Sequence, residues 1–133
     1  MEVLSKSSYI KMSPRKLRLV ADTIRGLSSV QALAFLSQTG KKAARVLAKS
    51  LKTAIANAKN NFQLKEEDLK IKTIEINGGP ISKRFRAISR GMAHPIAKRT
   101  SHIKIILESP DTKIEKAVEN KNIKQGVTHG TKS

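Results

Sequence analysis

Arginine and lysine carry most of the chemistry this chain can offer, and their distribution matters more than their number. Between Ile76 and Leu107 stand Lys83, Arg84, Arg86, Arg90, Lys98, Arg99 and Lys104, without one Asp or Glu. From Met1 to Lys65 the only acids are Glu2 and Asp22. Over the whole chain 27 Lys and Arg face 10 Asp and Glu, a formal net charge of +17. Self-repulsion on that scale destabilises a compact state unless a polyanion relieves it, and ordinary domains intersperse the two signs. The charge therefore points to nucleic acid or an anionic membrane rather than to a basic surface kept for solubility.

Other chemistry is poorly served. With no cysteine, disulfides and thiolate metal or redox sites are excluded. His94, His102 and His129 lack metal-ligand spacing, so no metal site is expected. The acids cluster in Glu66-Glu67-Asp68 and beyond Glu108, away from the histidines, and give no support to a catalytic set. Gly78-Gly79-Pro80 is followed by neither a Walker lysine nor a GxGxxG spacing, so it is not a phosphate-cradling loop. No cofactor and no enzymatic activity are expected. No apolar run approaches the roughly 20 residues of a membrane span, and Met1–Ile10 lacks the apolar segment of a secretory signal. A soluble intracellular protein remains. Aromatic residues make up 3% of the chain, and Phe85, between Arg84 and Arg86, is one ring rather than a stacking sheet. Recognition of the shape and backbone of a folded RNA fits best. No zinc finger, basic zipper or helix-turn-helix directs the chain to DNA. Composition alone also admits a free nucleic-acid chaperone or a DNA-architectural protein.

The elements that must position these cations are legible in outline. The 133 residues suit one domain with a tail. Val3–Lys11 reads as a strand. Ser13-Pro14 starts a helix, with Ser13 as cap and Pro14 at the first helical position. Leu17, Val20, Ala21 and Ile24 give that helix its apolar face, Arg15, Arg18 and Arg25 lie opposite, and Gly26 stops it. A second helix runs from Ser28 or Ser29 to Gln38, with Ser28 and Gln31 in capping-box spacing and Val30, Leu33 and Leu36 or Phe35 toward the core. Lys41–Asn60 is the most helical stretch. Its stripe is Ala44, Leu47, Leu51, Ala54, Ile55 and Ala58, which Phe62 extends, and its other side carries Lys41, Lys42, Arg45, Lys49, Lys52 and Lys59. Like charges at that spacing oppose the helix by about 0.2–0.5 kcal/mol per pair, so this face is expected to dock on phosphates. Asn60-Asn61 and Glu66-Glu67-Asp68 frame a loop, and a strand follows from Leu69 to Asn77 with a bulge near Lys72-Thr73, then turn residues at Asn77–Pro80. Ile81–Leu107 reads as a long hairpin with Gly91 at its tip and an arm of roughly 30 Å. Residues 109–133 read as a polar, flexible tail, with Ile114, Ala117 and Val118 supporting a helical turn or two.

Ser13-Pro14-Arg15-Lys16-Leu17-Arg18, with Val20-Ala21-Asp22 and Ile24-Arg25-Gly26, resembles the first-helix signature of the large-subunit ribosomal protein family L-twenty-two, in its bacterial form. Ala54-Ile55-Ala56-Asn57-Ala58 with Asn60-Asn61 is similar to the end of that family's third helix. Gly79-Pro80, Lys83-Arg84 and Lys98-Arg99-Thr100-Ser101-His102-Ile103 resemble its hairpin borders. The blocks fall in the family's order and span about Val3 to Leu107. The resemblance implies an α+β fold of three helices packed on a small antiparallel sheet with a long protruding β-hairpin, about 80–103, within a domain 1–108. It implies a structural, non-enzymatic protein of the ribosome, cytoplasmic or organellar, that binds large-subunit ribosomal RNA and supports assembly. Neighbouring ribosomal proteins and, at the exit tunnel, the nascent peptide are its other implied partners. By position, Arg15, Lys16, Arg18, Lys83, Arg84, Lys98, Arg99 and His102 are expected on RNA. Lys11 and Arg86, in the same basic blocks, and Arg45, Lys49 and Lys52 of the third helix join them. Arg90, Gly91, Met92 and Ala93 are expected at a tunnel-facing tip.

That tip departs from the family pattern. Ala87-Ile88-Ser89 stands for the usual Pro-Arg-Ala, and Gly91-Met92-Ala93 for Gly-Arg-Ala, so Ile88 and Met92 replace two arginines and make the tip more apolar. Placing arginine back, as Ile88→Arg with Met92→Arg, is expected to strengthen photocrosslinking of the tip to ribosomal RNA. An unchanged crosslink yield would contradict this.

Overall fold

The computed structural model describes residues 1–109; the tail reading beyond Ser109 lies outside them. Three strands, β1 (Glu2–Ile10), β2 (Lys70–Ala87) and β3 (Ala93–Glu108), form an antiparallel sheet in the order β1-β3-β2. Three helices, α1 (Pro14–Ile24), α2 (Ser29–Gln38) and α3 (Lys42–Phe62), precede β2 and cover one face of the sheet. The α+β architecture expected from the sequence is the one observed.

Alternation along β3 decides which face is covered. Ser101, Ile103, Ile105 and Leu107 are buried, while His102, Lys104, Ile106 and Glu108 between them are only partly so. β2 adds Ile71, Ile74 and Ile76 to the buried face, and its shift from Ile71 to Ile74 is the bulge expected near Lys72-Thr73. From the helices come Leu17, Val20, Ala21 and Ile24 of α1 and Ala44, Leu47, Leu51, Ala54, Ile55 and Ala58 of α3. Those are the stripes read from helical spacing. α1 ends as expected, with Gly26 at φ +80°, a left-handed position glycine adopts at little cost.

Five details differ from the sequence reading, each for a local reason. Asn77–Pro80 is no turn: β2 runs straight through it, and the extra residue is absorbed as a second bulge between Gly78 and Ile81. Pairing to β3 on both sides of the Gly-Gly-Pro overrides its turn chemistry. Ser13 occupies the cap position of α1, but its side chain makes no capping bond; Ser28 does cap α2, accepting from the Gln31 N–H at 3.4 Å. In α2 the core positions are Ala32 and Leu36, with Leu33 half-buried, while Val30 and Phe35 face outward. Phe62 is exposed at the end of α3 because the left-handed residue Gln63 (φ 53°) turns the chain back. Leu64 then donates its N–H to the Ala58 carbonyl at 3.3 Å and packs on the core in its place. Glu66–Asp68, at the far end of the loop that Asn60-Asn61 opens, forms one 3-10 turn.

Buried serines lock the layers together. Ser101 donates to the Met12 carbonyl at 2.6 Å, which ties β3 to the link between β1 and α1. Ser29 donates to the Glu66 carbonyl at 2.7 Å, and Ser50 of α3 bonds Ser7 of β1 at 3.1 Å. On the open face Lys72 of β2 pairs with Glu2 of β1 across β3; the ammonium lowers the Glu2 pKa, and the carboxylate raises that of Lys72.

Residues 81–99 are exposed throughout, so the arm lends nothing to this core. Deleting Arg86–Ala93 is expected to preserve one cooperative thermal transition at nearly the wild-type midpoint, whereas Leu47→Ala, which empties a fully buried site, costs about 3 kcal/mol. Loss of cooperativity in the deletion variant would contradict the first expectation; calorimetry reads both.

Candidate nucleic-acid interface

The Ser101–Met12 bond fixes where α1 begins, and it begins beside the root of the arm. α3 begins there too. Between them lies an open cleft of about 1120 Å³. Seven cations line it: Lys11, Lys16, Lys41, Lys42, Arg84, Lys98 and Arg99. Its lining includes no Asp or Glu. The first turn of α3 holds no acid either, so the cations stand at the end of a 21-residue helix where the backbone dipole already favours an anion. Cations there repel the dipole and one another. An anion in the cleft relieves both, and a phosphate accepts from lysine, guanidinium and free helix N–H groups alike.

Lys42 also belongs to a shallow hollow of about 490 Å³ with Gly40, Arg45, Val46 and Lys49. The basic surface is thus continuous from the cleft onto the outer face of α3, where Lys52 is exposed as well. The acids lie elsewhere. Asp22 pairs with Arg25 at 3.1 Å, Glu75 with Lys104 at 3.3 Å, and Glu2 with Lys72 on the open sheet face.

The structure brings Lys11, Lys16, Arg84, Lys98 and Arg99 together in the cleft, and Arg45 and Lys49 beside it. Lys41 and Lys42, read from the sequence as part of the α3 face that docks on phosphates but not among the residues placed individually on RNA, join them in the cleft. Their signal was present, since two lysines at a helix start run against the usual preference for acids there. Arg15 is exposed on α1 outside the cleft lining, Lys83 stands between the cleft residues Ser82 and Arg84 but on the other face of the arm, and Arg86 lies further out.

Two expected RNA residues have structural partners. Arg18 donates from Nε and Nη2 to the Ile76 carbonyl at 3.2 and 2.9 Å, bracing α1 against β2 just before the Gly78 bulge. His102 accepts the Tyr9 N–H on Nδ1 at 3.1 Å, where β1 is bulged and Tyr9 has φ 55°. The two rings meet edge to face with centroids 4.9 Å apart. On its other side His102 abuts Gly79: a Cβ there would lie 3.1 Å from Nε2 and 2.5 Å from Oγ1 of Thr100. That hydroxyl donates to the Pro80 carbonyl at 2.7 Å. Only glycine fits without displacing this joint, which sets the angle of the arm.

Register sorts the arm into two faces. Ser82, Arg84 and Arg86 pair with Lys98, Ile96 and His94 on one. Ile81, Lys83, Phe85 and Ala87 pair with Arg99, Ala97, Pro95 and Ala93 on the other. The tip is a 3-10 turn at Ser89–Gly91, closed by the Ile88 N–H on the Met92 carbonyl at 2.9 Å, with Arg90 and Gly91 left-handed at φ 61° and 69°. Met92 is 64% exposed there. Among the described residues no cluster of His, Asp and Glu could hold a metal ion, and no helix is long and apolar enough to cross a membrane.

The chain is thus a small α+β domain with an acid-free cationic cleft and a projecting two-stranded arm. The chain belongs to the family Ribosomal protein L22p/L17e, which matches residues 5–108. It is 48% identical over 105 residues to the large ribosomal subunit protein uL22 of Fusobacterium nucleatum, covering 79% of this chain and 95% of that protein. The protein of the same name from Chloroflexus aggregans is 46% identical over 107 residues, 80% and 95% of the two chains. That of Finegoldia magna is 43% identical over 108 residues, 81% and 96%.

The Arg18 brace has a measurable consequence. Arg18→Ala is expected to lower stability by about 1 kcal/mol, since an exposed charged donor is worth less than a buried one, and Arg18→Lys to recover part of it. Unchanged urea midpoints in both variants would show that the brace carries no load.

Proposed function

We propose that this chain is a structural constituent of the large ribosomal subunit that binds large-subunit ribosomal RNA and supports assembly of the particle, without catalytic activity. The cationic cleft carries the reading: seven cations and a helix N-terminus share one acid-free hollow, and phosphate groups are the ligand that satisfies all of them. The globular part grips the RNA backbone there and along Arg45, Lys49 and Lys52 of α3. The arm, rooted at the same cleft, extends away from it into the particle and lines the nascent-peptide exit tunnel with the tip residues Arg90, Gly91, Met92 and Ala93. Its partners are ribosomal RNA, adjacent large-subunit proteins and the growing peptide, and it works in cytoplasmic ribosomes. Family membership supports this reading, because the relatives are named for the large ribosomal subunit.

Counterion release makes the reading measurable. Lys16→Glu with Lys42→Glu is expected to weaken binding to large-subunit ribosomal RNA at least about tenfold at moderate salt. The log–log salt slope should fall by about 0.9 for each phosphate that is no longer neutralised, on a duplex scale. Arg45→Glu with Lys49→Glu flattens the slope in the same way. Slopes identical to wild type in both double variants would leave these surfaces facing solvent. The wild-type chain should also sediment in stoichiometric amounts with large subunits through a moderate-salt wash.

A further inference from the structure

The second face of the arm continues the buried side of the sheet. β3 keeps its alternation from Leu107 through the buried Ser101 to Arg99, Ala97, Pro95 and Ala93, with the bulge taken up on β2. The side that carries the core therefore runs on past the helices with nothing over it. On it Phe85 lies directly opposite Pro95 and is 81% exposed, the most exposed of the large apolar side chains in the described residues. Directly opposite residues hold their Cβ atoms about 5 Å apart, and β pairing on both strands keeps the ring from collapsing inward. On the same face, toward the root of the arm, stand Lys83 and Arg99.

We propose that Phe85, backed by Pro95, with Lys83 in the next pair on the same face and Arg99 one such pair nearer the root, is a seat for one unpaired base of an RNA. A ring offers any base a π face, and the two cations hold the phosphates next to it. Charge selects this occupant over an apolar peptide: the chain has no acid from Ile76 to Leu107, only cations, so the seat is set in a field that concentrates polyanions. Arg84, Arg86 and Lys98 on the opposite face leave the arm able to hold backbone on one side and a base on the other. The proposal rests on the RNA-binding reading above and adds the chemistry by which the arm contacts its RNA.

The full chain is tested on protein-free large-subunit ribosomal RNA by filter binding and by ultraviolet crosslinking with peptide mapping. Phe85→Leu, which keeps an apolar side chain and removes the π face, is expected to bind about tenfold more weakly with an unchanged salt slope, since stacking releases no counterions. Phe85→Tyr is expected within about twofold of wild type. A nucleotide adduct is expected on Phe85. Wild-type affinity for Phe85→Leu, beside weakened binding by Lys16→Glu with Lys42→Glu, overturns the seat and leaves the RNA-binding reading standing. Phe85 crosslinked to a protein and not to RNA in reconstituted subunits overturns it in favour of an apolar partner. Failure of the wild-type chain to bind this RNA removes both.

Discussion

The antiparallel pairing of β2 with β3 is the constraint on which everything else depends. It is one ladder from Lys70 opposite Glu108 to Ala87 opposite Ala93, yet it does two jobs. Its inner part has a third strand beside it and three helices over it. Its outer part has neither, and stands because each strand supplies the other's hydrogen bonds. The change of regime falls where β1 stops pairing, at Ile10 opposite Ser101. There Ser101, His102, Thr100, Gly79 and Met12 interlock. The direction of the arm is a property of that joint and not of the arm itself.

Electrostatics follow from the same layout. The helices approach the sheet with their apolar stripes, so their charged residues face outward or toward the arm root. Acids that would neutralise them are spent on the opposite side, where Glu2 and Glu75 pair with Lys72 and Lys104. The result is a molecule with a nearly balanced sheet face and a strongly unbalanced helix and arm side. Repulsion on the unbalanced side is the free energy that a polyanion relieves.

Much of this was legible in the sequence. The stripes of α1 and α3 were, because a buried helix face at 3.6-residue spacing needs only local information. So was the family, through motifs spread from Ser13 to Ile103. Asn77–Pro80 was not, because Gly-Gly-Pro has the same composition whether the chain turns or bulges, and only the partner strand decides. Val30 and Phe62 went astray for a related reason: a short helix or a helix end can rotate an apolar residue outward when a smaller neighbour such as Ala32 makes the contact. Of the site, the density of cations was readable and their convergence was not. That Lys11, Lys42 and Lys98 meet depends on a serine hydrogen bond between elements 89 residues apart. The structural duties of Arg18 and His102 depend on partners 58 and 93 residues away, and no local pattern announces them.

Met1 and Ser109 clasp one another at the far end of the sheet: the terminal ammonium donates to the Ser109 carbonyl at 3.2 Å, and the Ser109 N–H returns a bond to the Met1 carbonyl at 3.0 Å. That corner is the pole of β3 remote from the tip. The clasp closes the end of the sheet on the side away from both cleft and arm. Because both bonds run between main-chain atoms, the clasp does not depend on which side chains stand at positions 1 and 109.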